Sequence, residues 1–352
     1  MSSFFSTYFY QEKKDEIAIK YADIGINIYE NLNKTSEFSY QRLVYNKGMF
    51  YYSNGEYEES LKTFFNLIKL KNIKTTFIGI TYRQIGKCYQ KKGNFYRAMD
   101  YFRLARKFLL KYNSKSSLFS SDIGTVNTLI LINTKKSITE SLNLINETSK
   151  LVESSEKLKN SPAKCFLLDL AIGHTYSSLF DVYYKSDSLR KMYSSKAILH
   201  FRKVLYLAKK HNDSSKISSA NLDLSNLYIK QGNDSAIHYL NQSLKYNLND
   251  KYNRAITYNN IADYNLIIND LKSSIKYINK AINLSFNIDD NIIDYIPSDV
   301  NIYTHSDKKN IIIYFNNKAD ILINLYSQTN NIDFLKKAIN TIKIVDRIVN
   351  IT

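Results

Sequence analysis

Two consecutive stretches of the chain align without a gap, and they decide the fold. Residues 44–70 read VYNKGMFYYSNGEYEESLKTFFNLIKL, and residues 82–108 read YRQIGKCYQKKGNFYRAMDYFRLARKF. Their shared glycines lie 38 positions apart, pairing Gly48 with Gly86 and Gly55 with Gly93. The first glycine of each stretch is small where two helices cross closely, and the second permits the positive φ of a turn. Each stretch therefore predicts two helices joined by a tight turn.

The second helix of each stretch carries one apolar face. Ala98, Phe102 and Ala105 are spaced four and three residues apart, which places them on the same side of a helix. The pattern resembles the tetratricopeptide repeat, a unit of about 34 residues. The longer offset here predicts a longer second helix or connection in each repeat. The resemblance implies an all-α fold, a right-handed α-solenoid of stacked helix pairs.

Further copies of the pattern divide the chain into segments. Ser225 and Ala262 occupy equivalent positions 37 residues apart, and the signal weakens between them and the first pair of repeats. We therefore predict five segments: 1–40 as an N-terminal helix or cap, 41–117 as two regular repeats, 118–217 as divergent helical repeats, 218–286 as two further repeats, and 287–352 as an irregular linker with a long C-terminal helix pair.

Composition supports long helices and argues against chemistry of the chain's own. The sequence has only 9 Gly and 2 Pro among its 352 residues, so few breakers interrupt its helices. Cys88 and Cys165 form neither a disulfide framework nor a zinc pattern, and no phosphate-binding glycine loop or HExxH motif occurs. We expect a non-enzymatic protein without cofactor or metal site.

Targeting signals are equally lacking in the sequence. The N-terminal residues show no basic segment followed by an apolar run, and no stretch approaches the roughly 18 apolar residues of a membrane span. We expect a soluble, cytoplasmic protein that does not act at a membrane.

The net charge of +17 leaves nucleic-acid binding open as an alternative function. Basic helical repeats can bind RNA, and the chain holds 30 Tyr and 18 Phe. However, the lysines are scattered among acids, and the richness in Lys, Asn, Ile and Tyr is typical of an AT-rich genome. No side-chain code recurs from repeat to repeat, so a protein or peptide ligand remains the leading partner.

The predicted ligand surface follows from the repeat resemblance, in which first helices line a concave face. Positions around the small residue of each first helix give the candidate partner-binding residues: Tyr45, Asn46, Met49 and Tyr52 in one repeat, Arg83, Gln84, Lys87 and Lys91 in the next, and Asp223, Asn226, Asn259, Asn260 and Asp263 in the later ones. Arg83, Lys87 and Lys91 form a row suited to a carboxylate or an acidic peptide. The later positions are acidic and rich in amides, so the groove changes character.

The C-terminal segment narrows the resemblance. The residues that carry it are Pro297, Asn317-Lys318-Ala319, Leu325-Tyr326, Thr329, Asp333, Leu335, Ala338-Ile339 and Asp346-Arg347. They resemble a segment of bacterial tetratricopeptide proteins that precedes a CHAT domain, a caspase-like cysteine protease. The resemblance implies a scaffold or sensor that regulates a CHAT-type protease, in the same chain or a separate one. The sensor half of a bacterial transcription regulator or kinase is the other alternative.

The C-terminal segment also contains a cluster of aspartates and an apolar last helix. Asp289, Asp290, Asp294 and Asp299 cluster in the irregular linker, where a solvated loop is expected rather than a calcium site, because the glycine and glutamate of an EF-hand are missing. The last helix carries apolar residues that predict an exposed edge with a further packing partner: Ile344, Val345, Ile348, Val349 and Ile351.

Overall fold

The fold consists of α-helices joined by turns and short connections. The computed structural model describes residues 6–8, 10, 12, 14–70, 72–73, 75–289, 292–305 and 307–351, and no β-strand occurs among them. The predicted all-α fold class is confirmed. The chain divides into two compact units, Met1–Ala197 (unit 1) and Ile198–Thr352 (unit 2), and the five segments proposed from the sequence stay a prediction.

Unit 1 is a stack of helix pairs. Its helices are α1 (Asp15–Asn31), α2 (Phe38–Ser53), α3 (Tyr57–Ile68), α4 (Thr75–Lys91), α5 (Phe95–Lys111), α6 (Lys115–Ile132), α7 (Lys135–Glu153), the one-turn α8 (Glu156–Lys159), α9 (Pro162–Val182) and the first part of α10 (Asp187–Lys210). The two aligned stretches form α2–α3 and α4–α5, and each helix packs mainly against those next to it in the chain.

The tight turns of these pairs contain a residue with a positive φ angle, which is either glycine or asparagine. Gly55 and Gly93 adopt positive φ angles of 82° and 76°, as the sequence predicts. Between α6 and α7 the left-handed residue is Asn133, with φ of 53°, and Thr134 then caps α7 by accepting from the Ser137 amide. Asparagine tolerates this conformation better than most residues with a Cβ. The glycine pattern therefore fades at the third pair while the turn itself persists.

Close helix crossings explain the glycines inside the first helices. A Cβ atom at Gly48 would lie 2.6 Å from Cε1 of Phe64, nearer than real carbon atoms approach. Gly124, another 38 residues after Gly86, continues the series, and a Cβ there would lie 2.8 Å from Cε1 of Phe102. Because the interior is close-packed, α2 and α6 pass these rings only without a side chain at that point.

Unit 2 repeats the same construction and ends in a longer helix pair. It holds the rest of α10, then α11 (Ser214–Lys230), α12 (Ser235–Tyr246), α13 (Lys251–Ile267), α14 (Leu271–Ser285), the short α15 (Asp299–Thr304), α16 (Lys308–Thr329) and α17 (Ile332–Ile351). One apolar core runs from Leu222 on α11 through Ile278 on α14 to Ile348 on α17. This continuity is the physical reason why α16 and α17 belong to the stack.

Residues 292–298, the crossing segment, are non-helical and lie against the helices of unit 2. Asn283 on α14 donates to the carbonyl oxygens of Asp289 and Ile292, at 3.0 and 2.7 Å. Arg347 on α17 donates to the carbonyl oxygen of Pro297 at 3.3 Å. The backbone of the linker is thus held by side chains from two helices.

Two acids of the linker are ion-paired, which corrects the expectation of a solvated loop. Asp294 accepts from Lys318 at 3.0 Å and from Lys337 at 2.7 Å, while Asp299 pairs with Arg347 at 2.5 Å. The expectation failed because these partners lie more than twenty residues further along the chain. Asp290 lies outside the described residues.

The apolar residues of α17 also depart from expectation. Ile344 and Ile348 are 6% and 0% exposed within the core of unit 2, and Val345 packs against that core. They share the inward face of the helix, so the predicted exposed edge is wrong for these three residues. Val349 is 55% exposed, and the side chain of Ile351 lies outside the described part of the chain.

Candidate functional site

A row of cations follows α4 on the surface formed by the first helices of unit 1. Arg83, Lys87 and Lys91 are four residues apart, so their side chains leave the same face of the helix. Lys87 is half-buried. Its burial, followed by the positive charges of Arg83, Lys164 and Lys91, lowers the pKa of its ammonium group, and only the neighbouring Cys88 acts against this.

Lys164 adds a fourth cation from a different helix pair. It lies in the first turn of α9, donates to Oγ of Ser120 at 2.8 Å, and places its Nζ 4.9 Å from the ring centroid of Phe119. Burial and the charge of Arg83 lower the pKa of Lys164. The sequence pattern missed this residue because α9 belongs to a divergent repeat. Arg83, Lys87, Lys91 and Lys164 are called the basic cluster below.

The basic cluster has no acidic partner within the described residues. Its members form none of the ion pairs found there, and Asp122, the one acid of α6, is engaged by Arg106 at 3.0 Å. Nε of Arg83 is buried without a hydrogen-bond partner. Burying cations together without an anion is unfavourable, so the arrangement is suited to receive an anionic group.

The other residues predicted in unit 1 are largely structural. Gln84 is only 3% exposed and donates to the hydroxyl of Tyr45 at 2.7 Å, which joins α4 to α2. The Tyr45 ring lies 5.6 Å from that of Phe64, and Met49 and Tyr52 are half-buried against the same core. These positions were predicted as exposed, but the large side chains turn into the gaps between helix pairs. Asn46 is half-buried.

In unit 2 the predicted polar positions form a hydrogen-bonded ladder across three helices. Asn260 on α13 donates to Asn226 on α11 at 2.7 Å. Asn317 on α16 donates to Asn259 and to Asp263, both at 2.9 Å. Asn259 and Asn260 are 5% and 8% exposed, so the prediction that they face an open groove is wrong for both.

Asp263 and Asp223 are the two acidic residues among the predicted positions of unit 2. Burial, and then the charge of Asp320, raises the pKa of Asp263 to about 6, although a hydrogen bond from Asn259 opposes the shift. Asp223 is half-buried and also interacts with another residue. Asn317 was not among the predicted site residues, since its helix belongs to the irregular C-terminal pair.

The described residues contain neither a metal-binding cluster nor a membrane-spanning helix. No group of three or more His, Cys, Asp or Glu side chains is placed there to hold a metal ion. None of the described helices is both long and apolar enough to cross a membrane.

Comparison with protein families identifies one repeat. Residues 255–288, which span α13 and α14, match the sequence profile of the tetratricopeptide repeat. A search of curated proteins returned no match. The sequence match thus covers the second of the two repeats predicted in residues 218–286 and supports the repeat type.

Solved structures show the same fold at low sequence identity. A Rap protein complexed with competence and sporulation factor aligns with a TM-score of 0.57 and 12% identity, over 95% of this chain and 87% of that one. A tetratricopeptide repeat protein from Parabacteroides merdae gives 0.52 and 12%, over 80% and 91%. A signal transduction ATPase with a tetratricopeptide repeat sensor, from Pyrococcus horikoshii, gives 0.52 and 14%, over 97% of this chain and 48% of that one.

Proposed function

We propose that this protein, whose fold is that of tetratricopeptide-like helical repeats, is an interaction scaffold or sensor that binds an acidic segment of a partner protein. The observation that carries the proposal is the basic cluster. Arg83 and Lys87 share one face of α4, the charge of Arg83 acts on Lys164 of α9, and none of the three is ion-paired within the described residues. An acidic segment would neutralise these charges.

The similar folds fit this proposal. One is a complex of a repeat protein with a competence and sporulation factor, and another includes a repeat described as a sensor. At 12% and 14% identity these likenesses show the fold alone, so the binding role is our inference for this chain. We also propose that the protein acts in the cytoplasm through binding, without catalysis of its own.

A selection from a random peptide library tests the binding surface. We expect the full chain to enrich peptides rich in Asp and Glu, and the variant Arg83→Glu/Lys87→Glu to lose that enrichment. Lys107→Glu/Lys111→Glu is the matched control, because these lysines have the same spacing on α5, the second helix of the same pair. If a folded Arg83→Glu/Lys87→Glu variant enriches the same acidic peptides as the control, the proposed surface is wrong.

The finer partner assignment rests on the C-terminal resemblance. We propose a CHAT-type protease as the regulated partner, in the same chain or separate. Of the resembling residues, Lys318 and Arg347 hold the crossing segment, and Pro297 lies within it. The test is the rate of substrate cleavage by such a protease with and without this chain. An unchanged rate, with and without a selected acidic peptide, rejects this partner.

Nucleic-acid binding is the second candidate, favoured by the net charge of +17 and by the basic cluster. A salt titration with a labelled oligonucleotide separates it from the proposal. Affinity that falls steeply with salt and disappears in the Arg83→Glu/Lys87→Glu variant would support it. Absence of binding at low salt would remove it, and the sensor role in a transcription regulator or kinase would then rest on protein contacts.

A further inference from the structure

The basic cluster indicates which anionic group the partner presents. We infer that its ligand is a phosphoryl group carried on a serine or threonine of the partner protein, an inference that rests on the proposed function. Arg83 and Lys87 of α4 and Lys164 of α9 would surround this group, with Ser120 of α6 at its edge.

Charge balance favours a phosphoryl group over a carboxylate. Within the described residues the cluster brings four cations and no ion-paired acid, and Asp122, the one acid of α6, is held by Arg106. A carboxylate supplies one negative charge, whereas a phosphorylated side chain supplies about 1.5 to 2 near neutral pH. The dianion therefore offsets the repulsion within the cluster more fully.

The donors available also fit a phosphoryl group. Such a group presents three strong acceptor oxygens, which suit the planar fork of an arginine combined with the point charges of lysines. Of the three N–H donors of the Lys164 ammonium, the structure assigns only one hydrogen bond, to Ser120 at 2.8 Å.

The position of Lys164 strengthens the argument. The first turn of a helix is the positive end of its dipole, where a lysine is electrostatically disfavoured. Lys164 nevertheless lies in the first turn of the 21-residue helix α9, close to the charge of Arg83. An anion bound beside Lys164 would be attracted both by the helix dipole and by the charges of Lys164 and Arg83, because helix N-termini attract phosphate groups.

The basic cluster is confined to one place and does not continue onto the neighbouring first helices. This argues against binding of a nucleic-acid backbone, which carries a row of phosphates. The first helix on one side, α2, presents Tyr45, Met49 and Tyr52, none of them basic. On α6 the residues 38 positions after Arg83, Lys87 and Lys91 are buried and uncharged: Ser121, Thr125 and Leu129. The Phe119 ring beside Lys164 is fully buried, so it offers no surface on which a base could stack. A single phosphoryl group fits this confined patch better than a polymer does.

Fluorescence anisotropy with three labelled peptides tests the inference. The peptides share a neutral sequence of glycine and alanine and differ at one position, which holds phosphoserine, glutamate or serine. We expect the full chain to bind the phosphoserine peptide at least about tenfold more tightly than the glutamate peptide, and inorganic phosphate to compete for the site.

Variants locate the binding. Lys164→Met and Lys87→Met should each weaken phosphoserine binding about tenfold or more, while Lys107→Met on α5 should leave it unchanged. Since each of the first two removes a like charge from the cluster, we also expect the unliganded variants to melt at or above the temperature of the unmodified protein. This melting measurement separates loss of binding from loss of folding.

The outcomes distinguish the inference from the proposed function. Equal affinity for the phosphoserine and glutamate peptides overturns the phosphoryl assignment and leaves an acidic-segment site. Failure of both peptides, together with no acidic enrichment in the library selection, overturns both. Tighter, steeply salt-dependent binding of a ten-nucleotide oligouridine than of the phosphoserine peptide assigns the cluster to nucleic acid and also overturns the inference.

Discussion

At the scale of single residues, the Phe102 ring shows how closely the helix pairs are fitted. The ring lies on α5 between two first helices, with Gly86 of α4 on one side and Gly124 of α6 on the other. An added Cβ would lie 3.1 Å from the ring at Gly86 and 2.8 Å from it at Gly124. The tighter of the two contacts therefore identifies Gly124 as the more sensitive position.

We predict that Gly124→Ala lowers the free energy of unfolding. Alanine in a helix gains about 1 kcal/mol over glycine, but overpacking a core costs about 1–3 kcal/mol, and the 2.8 Å approach leaves no room for the new atom. We expect a net loss of roughly 1 kcal/mol or more by urea denaturation. Phe102→Leu in the same chain should recover part of it. A variant as stable as the unmodified protein would refute the contact.

A second prediction at this scale concerns Asp263 and pH. Its folded-state pKa of about 6 exceeds its ordinary value of 3.8, so the folded protein binds this proton more tightly than the unfolded chain does. The stability that this provides is complete below about pH 4 and is lost as the pH rises through 6. Asp263→Asn should remove that loss, a difference on the order of 3 kcal/mol at pH 7.

The measurement for Asp263 is the difference in unfolding free energy between the variant and the unmodified protein at pH 4 and pH 7. Taking the difference cancels the other titrating groups, including Asp122, whose pKa burial also raises to about 6. Asp320→Asn removes the second cause of the shift and should give a smaller effect of the same sign. An equal difference at both pH values would show that Asp263 titrates normally.

The residues show where sequence patterns suffice. Gly48 and Gly86 were found because their repeats also share a turn glycine, and Gly124 was missed because Asn133 replaces that glycine. Cys88, two residues after the repeat glycine Gly86 in the sequence, is fully buried. Lys164 and Asn317 were missed because their placement depends on which distant helices meet. Hydrophobic periodicity predicts the buried face of each helix but does not predict which distant helices contact each other.

At the scale of elements, the crossing segment is positioned by one buried lysine. Lys318 on α16 is 3% exposed, and within the described residues Asp294 is its ionic partner. Burial lowers the pKa of Lys318, while Asp294 opposes that shift. Lys337 shares the same carboxylate but remains half exposed. The Asp294–Lys318 pair therefore fixes the segment against α16, and the Lys337 contact is secondary.

We predict that removing the two partners of this pair has unequal effects. Asp294→Ala leaves Lys318 buried without its counter-charge, which costs about 3–5 kcal/mol. Lys318→Met replaces the buried charge by an apolar side chain of similar length and should stay within about 1 kcal/mol of the unmodified protein or exceed it. Lys337→Ala, the exposed control, should cost about 0–1 kcal/mol. Equal losses in all three variants by urea denaturation would argue against this assignment.

The elements differ in how far the sequence predicts them. The helix pairs follow from local periodicity and turn residues, so the bounds of α2 to α5 were foreseeable. The crossing segment lacks periodicity, and its position is set by ion pairs with Lys318, Lys337 and Arg347 much later in the chain. A cluster of aspartates therefore read as a solvated loop, although two of its members hold the segment in place.

At the scale of the whole molecule, stability should be local. Repeat proteins gain stability from each helix pair and from its contacts with adjacent pairs, and here each helix packs mainly against its neighbours in the chain. The division into unit 1 and unit 2 also favours local stability, because most contacts of a helix lie within its own unit. A substitution in one unit is thus expected to loosen the helices around it before it affects the other.

Hydrogen exchange followed by mass spectrometry tests this locality. Gly124→Ala should speed amide exchange in α4 to α7 of unit 1 and change α13 and α14 of unit 2 little, whereas Asp294→Ala should do the reverse. The two variants serve as controls for each other, because each leaves the other unit's contacts unaltered. A uniform rise across the chain in both would mean that it unfolds as one cooperative body. If exchange is local, a ligand bound at the basic cluster should protect α4, α6 and α9 selectively, since its contacts lie in unit 1.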